Sequence, residues 1–345
     1  MIGTDPGTRS LDVFGMDKGG KSVLDESLDY SNPYRLIELL TPIKDRIECF
    51  IAPSGYGTAF KRLDQATEED LREILPKEDP RIRVNETIRV LFKELRDLQI
   101  SAYLLPGVVH LPTVPAYRKF NKMDMGTADK LCVAAFAMYS QMCRHNLPAS
   151  ETNFILLELG YGFNACLVVE GGKVVDGLGG TSGSLGFLSP GAIDAELAIR
   201  MPSCSQFVLF TSGARRLAGA NIEPEELPRY PEAWRAFVEG IHKMVAQALT
   251  VNPHPLELIV SGRLSTLPEI KREIESHYTG LEIHWLRDWT GRRAKRAKEA
   301  AEGACILAAG IAGWEPYAEI FESLEVARSG GRIWDYVGMD IKLEY

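Results

Sequence analysis

Two glycine turns in this sequence are similar enough to be copies of one another. The first turn, residues 5–10, reads Asp5-Pro6-Gly7-Thr8-Arg9-Ser10, and the second turn, residues 158–164, reads Glu158-Leu159-Gly160-Tyr161-Gly162-Phe163-Asn164. In each, an acid ends an apolar run, a glycine follows two residues later, and a second apolar run leads to Gly-Gly-Lys. A glycine turn exposes backbone N–H groups and lets phosphate oxygens approach closely. We therefore predict that the two turns form a phosphate clamp.

Each turn begins with a carboxylate, Asp5 in the first and Glu158 in the second. A carboxylate repels phosphate, but it can hold Mg²⁺, through water, and the ion neutralises the phosphate charge. Asp5 and Glu158 are therefore the predicted metal ligands. The predicted phosphate-binding residues are Gly7, Thr8, Ser10, Gly160, Gly162 and Asn164. The alternative is a pair of ordinary structural hairpins.

Three other segments are candidates to complete such a site. The tripeptide Ser261-Gly262-Arg263 follows an apolar run and precedes a predicted helix, where an adenine or ribose can approach the backbone. Asp129 lies in the first turn of a helix predicted over 126–142, with Thr127 as its cap. It either orients an acceptor group or only complements the helix dipole. The loop Ser54-Gly55-Tyr56 follows a buried strand, a usual ligand position in open α/β sheets, or is an ordinary strand-exit turn.

The elements that carry these residues occur twice in the same order. Apolar runs over 1–5, 11–17 and 21–29 predict three hairpin strands, and alternating helices and strands follow them. The same pattern begins again with the predicted strand over 154–159. Helices predicted over 126–142 and 293–312 connect the two halves. The sequence therefore predicts a duplicated α/β protein with a cleft between the copies.

Composition restricts the classes of partner. The net charge of -8 argues against broad nucleic-acid binding, which needs a basic surface. The apolar run 131–143 is too short to span a bilayer, and the first turn leaves no room for a signal peptide. Six scattered cysteines without a C-x-x-C pair are typical of buried free thiols in a reducing compartment. We therefore expect a cytoplasmic protein that binds neither nucleic acid nor membrane.

The arrangement resembles the superfamily of acetate and sugar kinases, heat-shock 70 proteins and actin. The two turns resemble its phosphate motifs, Val260-Ser261-Gly262-Arg263 resembles its adenosine motif, and the segments 126–138 and 300–312 resemble its connecting helices. The resemblance implies an actin-like ATPase fold, which is two ribonuclease-H-like domains with an ATP cleft between them. The domains are predicted at residues 1–125 and 126–345, with the final helix packed back on the first. The resemblance also implies ATP and Mg²⁺ as cofactors.

Within this superfamily the chain is most similar to butyrate and acetate kinases, and it resembles an uncharacterised archaeal family of predicted butyrate kinases. The similarity continues after the second turn through Val175-Asp176, a glycine-rich loop over 177–186 and Ser189-Pro190. It implies that Thr181 and Ser182 of this loop contact the substrate, together with the loop Ser54-Gly55-Tyr56. It further implies a short-chain carboxylate as acceptor and a homodimer paired through the second domain.

Some residues depart from that pattern. Glu158 stands where many superfamily members have Asp and the carboxylate kinases have His, and the loop 177–186 lacks the arginine of acetate kinases. The basic run 292–298 replaces an acidic cluster that helps acetate kinases to hold magnesium. We interpret this run as a solvated helix face, with a substitute phosphate contact as the alternative.

Three functions compete at this point. In a small-molecule kinase, Asp129 orients the acceptor and acts as base if the acceptor is a hydroxyl, whereas a carboxylate acceptor needs cations such as Lys61, Arg118 or Lys119. In an ATP-driven switch, the same domains act on a partner protein. A binding module without catalysis is the third. The kinase is favoured because the chain has neither a large appended domain nor a cysteine-ligated cluster.

Overall fold

A computed structural model describes residues 1–75, 82–201 and 205–339 of the chain. Within these ranges the strands form two sheets. The first sheet contains β1 (Ile2–Pro6), β2 (Leu11–Met16), β3 (Ser22–Leu28), β4 (Phe50–Ile51), β5 (Lys61–Arg62) and β6 (Ala102–Leu104). The second contains β7 (Phe154–Leu159), β8 (Asn164–Glu170), β9 (Lys173–Leu178), β10 (Glu257–Ser261) and β11 (Glu282–Trp285).

The two sheets share one topology. The first has the order β3-β2-β1-β4-β6-β5 and the second the order β9-β8-β7-β10-β11. In both, three strands pair as antiparallel hairpins and the next two join in parallel. Only β5, antiparallel to β6, has no counterpart among the described strands of the second sheet. The repeated order confirms the predicted duplication.

Helices cover the faces of these sheets. Within the described ranges they are α1 (Arg35–Leu40), α2 (Glu68–Ile74), α3 (Arg83–Asp97), α4 (Ala116–Lys119), α5 (Ala128–His145), α6 (Ala195–Ile199), α7 (Ala214–Leu217), α8 (Pro231–Val251), α9 (Pro268–His277), α10 (Glu299–Ile311) and α11 (Tyr317–Ser323). None of them combines the length and apolar character that a bilayer-spanning helix requires. The predicted start of α10 at residue 293 was wrong, because the helix begins at Glu299.

Helices α5 and α10 pack against each other in the centre of the molecule, and α10 also packs on β1 and β2. Glycines allow these close approaches. A Cβ on Gly3 would lie 2.5 Å from the carbonyl carbon of Ala304, and one on Gly303 would lie 2.6 Å from that of Cys132. Both neighbours are backbone atoms, which cannot rotate away as a side chain can. The first residues of α5 and α10 are thereby fixed at the cleft between the sheets.

Alternating strand residues divide the core into three clusters. Phe14 of β2 faces the central helices, whereas its neighbour Val13 faces an outer cluster with residues of α1 and α3. Likewise Leu156 of β7 faces the centre and Ile155 faces α8 and α9. This period of two is what half-buried strands require. The free cysteines follow the prediction in part. Four are buried, namely Cys49, Cys132, Cys166 and Cys305, and Cys143 is exposed. Cys204 lies outside the described residues.

The C-terminal segment after α11 contacts the first half of the chain. The backbone N–H of Ile333 donates to the buried carboxylate of Glu73 (2.6 Å), and Ser329 Oγ accepts from the backbone N–H of Phe60 (2.9 Å). Glu73 also bonds His110 Nε2 at 2.8 Å. These bonds hold the C-terminal segment against the first half of the chain. The division into domains at residues 125 and 126 stays a prediction.

Candidate active site

A cleft between the two sheets contains most of the residues predicted for the site. Those that line it are Asp5, Gly7, Thr8, Ser10, Ser54, Gly55, Tyr56, Asp129, Glu158, Gly160, Gly162, Thr181, Gly262 and Arg263. The predicted residues outside its lining are Asn164, Ser182 and Ser261. The predicted segments therefore meet at one cleft, with three of the predicted side chains outside its lining, and their roles stay predictions.

The two glycine turns face each other across this cleft. A Cβ on Gly162 of the second turn would lie 3.2 Å from Thr8 Oγ1 of the first. The second turn is closed by a bond from Gly160 N–H to the Phe163 carbonyl (2.9 Å). The first is held by Tyr30, whose hydroxyl contacts the carbonyls of Gly7 (2.5 Å) and Ser10 (3.0 Å). The geometry is that of a clamp with two opposed sides.

The side chain of Lys298, the residue before α10, reaches the first turn. Lys298 Nζ lies 2.5 Å from Asp12 Oδ2, 2.8 Å from Ser10 Oγ and 3.8 Å from Asp5 Oδ2. Asp12 is the register partner of Asp5 in β1 and β2, and it is fully buried. Burial lowers the pKa of Lys298, but the charges of Asp5 and Asp12 outweigh it, so the pKa lies above its usual value. Lys298 therefore stays charged.

A second lysine occupies the opposite side. Lys130 Nζ lies 2.5 Å from Glu158 Oε2 and 2.7 Å from Asp129 Oδ2. Burial would raise the pKa of Asp129, but Lys130 and the Thr127 hydroxyl overcome it and hold the pKa below its usual value. The pKa of Glu158 is raised, mainly by burial and against the effect of Lys130. The sequence had suggested that the side chain of Thr127 caps α5. In the structure this hydroxyl donates to Asp129 instead.

The acids of the cleft fit a divalent cation better at Asp5 than at Glu158. Asp5 Oδ1 and Asp12 Oδ1 are buried and have no hydrogen-bond partner among the described residues. Burial raises the pKa of Asp5 to about 7, which a nearby cation would reverse. Glu158 has a closer cationic partner, Lys130 at 2.5 Å, than Asp5 has in Lys298 at 3.8 Å. A further acid, Glu299, begins α10 and lines the cleft, although Arg292 Nη1 lies 3.4 Å from its Oε1.

The residues predicted to border adenosine line the cleft around Tyr161, and we call this part its adenosine end. Gly262 has φ of 89°, and a Cβ there would lie 2.6 Å from the carbonyl carbon of Leu159, so only glycine fits. The Arg263 guanidinium lies 5.0 Å from the centre of the Tyr161 ring, and that of Arg9 lies 4.4 Å from it. Arg9 also pairs with Glu223 at 3.1 Å. Arg9 thus reaches from the first turn to the second half of the chain.

Ser54, Gly55 and Tyr56 line the other side of the cleft, but their roles differ. Ser54 Oγ donates to the Ala52 carbonyl (2.9 Å) and accepts from Leu105 N–H (3.0 Å), so this hydroxyl is used within the protein. Burial raises the pKa of Tyr56, and the charge of Asp124 adds to the effect. Tyr56 is therefore the better candidate for a ligand contact.

Asp124 organises the glycine-rich loop 177–186. Its Oδ2 accepts from the backbone N–H (3.0 Å) and the hydroxyl (2.9 Å) of Thr181, and its Oδ1 accepts from Gly126 N–H (3.0 Å). Ser182 Oγ donates to the Asp124 carbonyl (2.5 Å), which explains why it does not line the cleft. Asp124 itself is buried and lines the cleft. The prediction for Ser182 is corrected to a loop contact.

The other two corrections follow from the strand register. Asn164 is fully buried, and its amide donates to the Leu185 carbonyl (2.9 Å), so it fixes the loop rather than facing the clamp. Ser261 ends β10 beside Glu158 and is also fully buried. A strand places successive side chains on opposite faces, so a motif in a strand cannot present every residue to one ligand.

The basic run 292–298 is not a solvated helix face. The backbone N–H groups of Lys295, Arg296 and Ala297 donate to the carboxylate of Asp25 at 2.6–3.1 Å. Arg293 donates to the Tyr139 hydroxyl (2.9 Å), and only Lys298 of the run lines the cleft. The preferred interpretation was therefore wrong, and the alternative of a phosphate contact applies to Lys298 alone.

Sequence reasoning missed Asp12, Asp124, Lys130 and Glu299, and it named Lys298 only as part of the basic run. Lys130 carried a signal, because it follows Asp129 in the first turn of the helix predicted over 126–142. Glu299 did not, because the predicted helix began at residue 293. Asp12 also carried one, since it follows the first turn on the next strand. Asp124 had none, because it lies in an irregular segment without periodicity.

Comparison with known proteins agrees with this fold. The family described as "Protein of unknown function (DUF1464)" matches residues 3–339. No curated protein matches the chain. A propionate kinase from Francisella tularensis subsp. tularensis has a TM-score of 0.63 at 12% identity, covering 88% of this chain and 97% of its own.

Two further solved structures are similar. Acetate kinase from Entamoeba histolytica has a TM-score of 0.57 at 14% identity, covering 81% of this chain and 86% of its own. Acetate kinase from Porphyromonas gingivalis has a TM-score of 0.52 at 13% identity, covering 79% and 78%. At this level of identity the similarity establishes the fold. The predicted actin-like ATPase fold, with two ribonuclease-H-like domains, is confirmed.

Proposed function

We propose that this chain, which belongs to the DUF1464 family, is an ATP- and Mg²⁺-dependent kinase of a small molecule. The observation that carries the proposal is the facing pair of glycine turns, so close that a Cβ on Gly162 would lie 3.2 Å from Thr8 Oγ1. Both α5 and α10 also begin at this cleft, so two helix N-termini favour an anion there. Phosphoryl transfer needs mainly positioning and charge neutralisation, which such an arrangement supplies.

The lining residues divide the work. The turns hold the phosphates, and Gly262 with Arg263 borders the adenosine. Lys298, charged and adjacent to Gly7, adds a cation to the first turn. When bound, Mg²⁺ neutralises the phosphate oxygens, and Asp5 is the residue best placed to hold it, with Glu158 as the second predicted ligand. Lys130 keeps Asp129 ionised at the start of α5, where it can orient an acceptor.

A short-chain carboxylate acceptor, as the resemblance to butyrate kinases implies, stays a prediction. It requires a cation near the acceptor, and the cations considered for it are engaged elsewhere. Lys61 pairs with Asp70 (2.7 Å), Arg118 donates to the Val175 carbonyl (2.8 Å) and Lys119 to the Leu111 carbonyl (2.7 Å). None of these three lines the cleft. Homodimer formation likewise stays a prediction.

Calorimetric titration of ATP into the chain, with and without Mg²⁺, tests the proposal. We expect tighter binding with Mg²⁺, and loss of the Mg²⁺ effect in Asp5→Asn. Asp64→Asn is the matched control, because Asp64 is exposed and pairs with Arg62 away from the cleft. Absence of ATP binding would refute the kinase. An ATP-driven switch would instead bind and hydrolyse ATP without transfer to any small molecule.

A further inference from the structure

Four polar residues that line the cleft lie near one another, and we call them the acceptor group: Tyr56, Asp124, Thr181 and Gln206. Thr181 is bonded to Asp124, and the charge of Asp124 acts on Tyr56. Gln206 lies close enough to Tyr56 to lower its pKa slightly, against the larger effect of burial. The acceptor group joins the two halves of the chain, because Tyr56 and Asp124 precede residue 126 and Thr181 and Gln206 follow it.

The atoms that this group leaves open are hydrogen-bond acceptors. Asp124 receives three hydrogen bonds, and a carboxylate has about four lone-pair sites, so one site is left. Gln206 Oε1 is buried and has no hydrogen-bond partner among the described residues. A buried acceptor atom without a donor is costly, so a ligand that fills this space gains most by donating hydrogen bonds. A carboxylate, which can only accept, does not meet this need.

Charge leads to the same conclusion. The described basic residues that line the cleft are Arg9, Lys130, Arg263 and Lys298. Arg9 and Arg263 lie over Tyr161 at the adenosine end, while Lys130 and Lys298 are paired with acids of the two turns. The acceptor group contains one buried carboxylate, Asp124, and none of its members is basic. A carboxylate ligand placed here would be repelled by Asp124.

The walls beside the acceptor group are apolar. Ile74 of α2 and Ile88 of α3 contribute from the first half, and Leu209 and Phe210 from the second. A Cβ on Gly55, next to Tyr56, would lie 3.1 Å from Ile74 Cγ2, which places this wall against the acceptor group. Phe210 packs edge-on against Phe163 with ring centres 5.2 Å apart. Such walls favour a ligand with an apolar body.

We propose that the phosphoryl acceptor is an uncharged compound with an apolar body and a hydroxyl group, and that Asp124 is the base that receives the hydroxyl proton. This inference rests on the proposed kinase function. The hydroxyl oxygen bonds to the γ-phosphorus, the bond between that phosphorus and the β–γ bridging oxygen breaks, and ADP leaves. The proton passes to Asp124 and then to water, and the product is a phosphate monoester.

Asp124 suits this role better than Asp129, the residue that the sequence suggested. Asp129 is held ionised by Lys130 and Thr127, which lowers its pKa and makes it a weak base. Burial raises the pKa of Asp124, against the hydrogen bonds from Thr181 and Gly126, and so brings it toward neutrality, where a general base is most effective. Asp129 then orients the acceptor from its place at the start of α5.

Transfer from γ-³²P-labelled ATP to matched panels of compounds tests the proposal. One panel contains acetate, propionate and butyrate, and the other contains uncharged alcohols and diols of two to eight carbons. We expect labelled products that resist hydroxylamine, as phosphate monoesters do. Acyl phosphates, which hydroxylamine destroys, would overturn the inference while leaving the kinase intact. Hydrolysis of ATP with transfer to neither panel would also overturn it, and failure to bind ATP would refute the proposed function instead.

Variants locate the effect. With a hydroxyl acceptor, Asp124→Asn should lower kcat/KM at least about 100-fold with ATP affinity unchanged, as loss of a general base does. Its activity should no longer rise with pH, a readout that a merely structural role of Asp124 would not remove. Thr181→Val, which loses one of the three bonds to Asp124, is the milder comparison. Gln206→Arg should increase the use of butyrate as acceptor. Retention of full activity with alcohols by Asp124→Asn would contradict the assignment of Asp124 as the base.

Discussion

Replacing Lys298 by methionine removes the cation that joins α10 to the first turn. Lys298 Nζ lies 2.5 Å from Asp12 Oδ2, and Asp12 is fully buried. Removing one partner of a buried ion pair leaves an uncompensated charge, which typically costs about 3–5 kcal/mol. We therefore expect Lys298→Met to lower the free energy of unfolding by about that amount in urea denaturation.

Asp12→Asn in the same chain should restore about half of this stability, because the buried charge of Asp12 is then removed together with its partner. Losing one hydrogen bond to a charged group costs about 1.5–3 kcal/mol, so the double variant should lie between the single variant and the original protein. Activity should behave differently. If Lys298 contacts a phosphate, the double variant regains stability but stays about 10- to 100-fold impaired in ATP use, since 1.4 kcal/mol corresponds to tenfold.

The two readouts separate a structural lysine from a phosphate-binding one. Urea unfolding measures the first role, and ATP turnover by the double variant measures the second. Asp12→Asn alone is the control, because it keeps Lys298 beside Gly7, where a Cβ would lie 2.6 Å from Nζ. Recovery of both stability and turnover in the double variant would refute a phosphate contact and leave Lys298 as a counter-ion only.

Three more predictions concern the same site and the helices behind it. Burial raises the pKa of Asp5 to about 7, and Mg²⁺ needs the ionised carboxylate. The Mg²⁺ enhancement of ATP affinity should therefore grow about tenfold per pH unit up to about 7 and then level off. A flat pH profile of this enhancement would contradict the prediction. Without metal, the same shift should lower the free energy of unfolding by about 4 kcal/mol as pH rises from about 4 to 7. The reason is that the Asp5 carboxylate ionises at lower pH in the unfolded state than in the folded state. Gly303→Ala should lower the melting temperature, because its Cβ would meet the Cys132 backbone at 2.6 Å and overpacking costs about 1–3 kcal/mol. Gly280→Ala, with no atom within 4 Å of the new Cβ, should be neutral, and equal losses in both would argue against tight packing of α5 on α10.

The fold was predictable because its signal is local and repeated. Each half begins with an apolar run, a glycine turn and a Gly-Gly-Lys hairpin, and this pattern alone predicts the three antiparallel strands that the structure has. The same repetition identified both sides of the clamp. Which side chains face the ligand was less predictable, because Asn164 and Ser261 lie within predicted binding motifs but are fully buried.

The residues that sequence reasoning misjudged depend on distant contacts. The basic run before α10 read as part of a helix because helix formers follow it. In the structure, Asp25 of β3 binds three of its backbone N–H groups, and the helix starts only at Glu299. Asp124 is likewise placed by Thr181 of a loop far along the chain. Neither contact leaves a periodic pattern in the sequence.

The fate of the γ-phosphate tests the central claim most directly. Phosphorus NMR of ATP, Mg²⁺ and the purified chain, with the panels of alcohols and carboxylates, reports every phosphorus species in one spectrum. The account predicts conversion of ATP to ADP with a new phosphate monoester resonance that appears only when an uncharged hydroxyl compound is present, and that is absent with Asp5→Asn. Unchanged ATP in every mixture would contradict it.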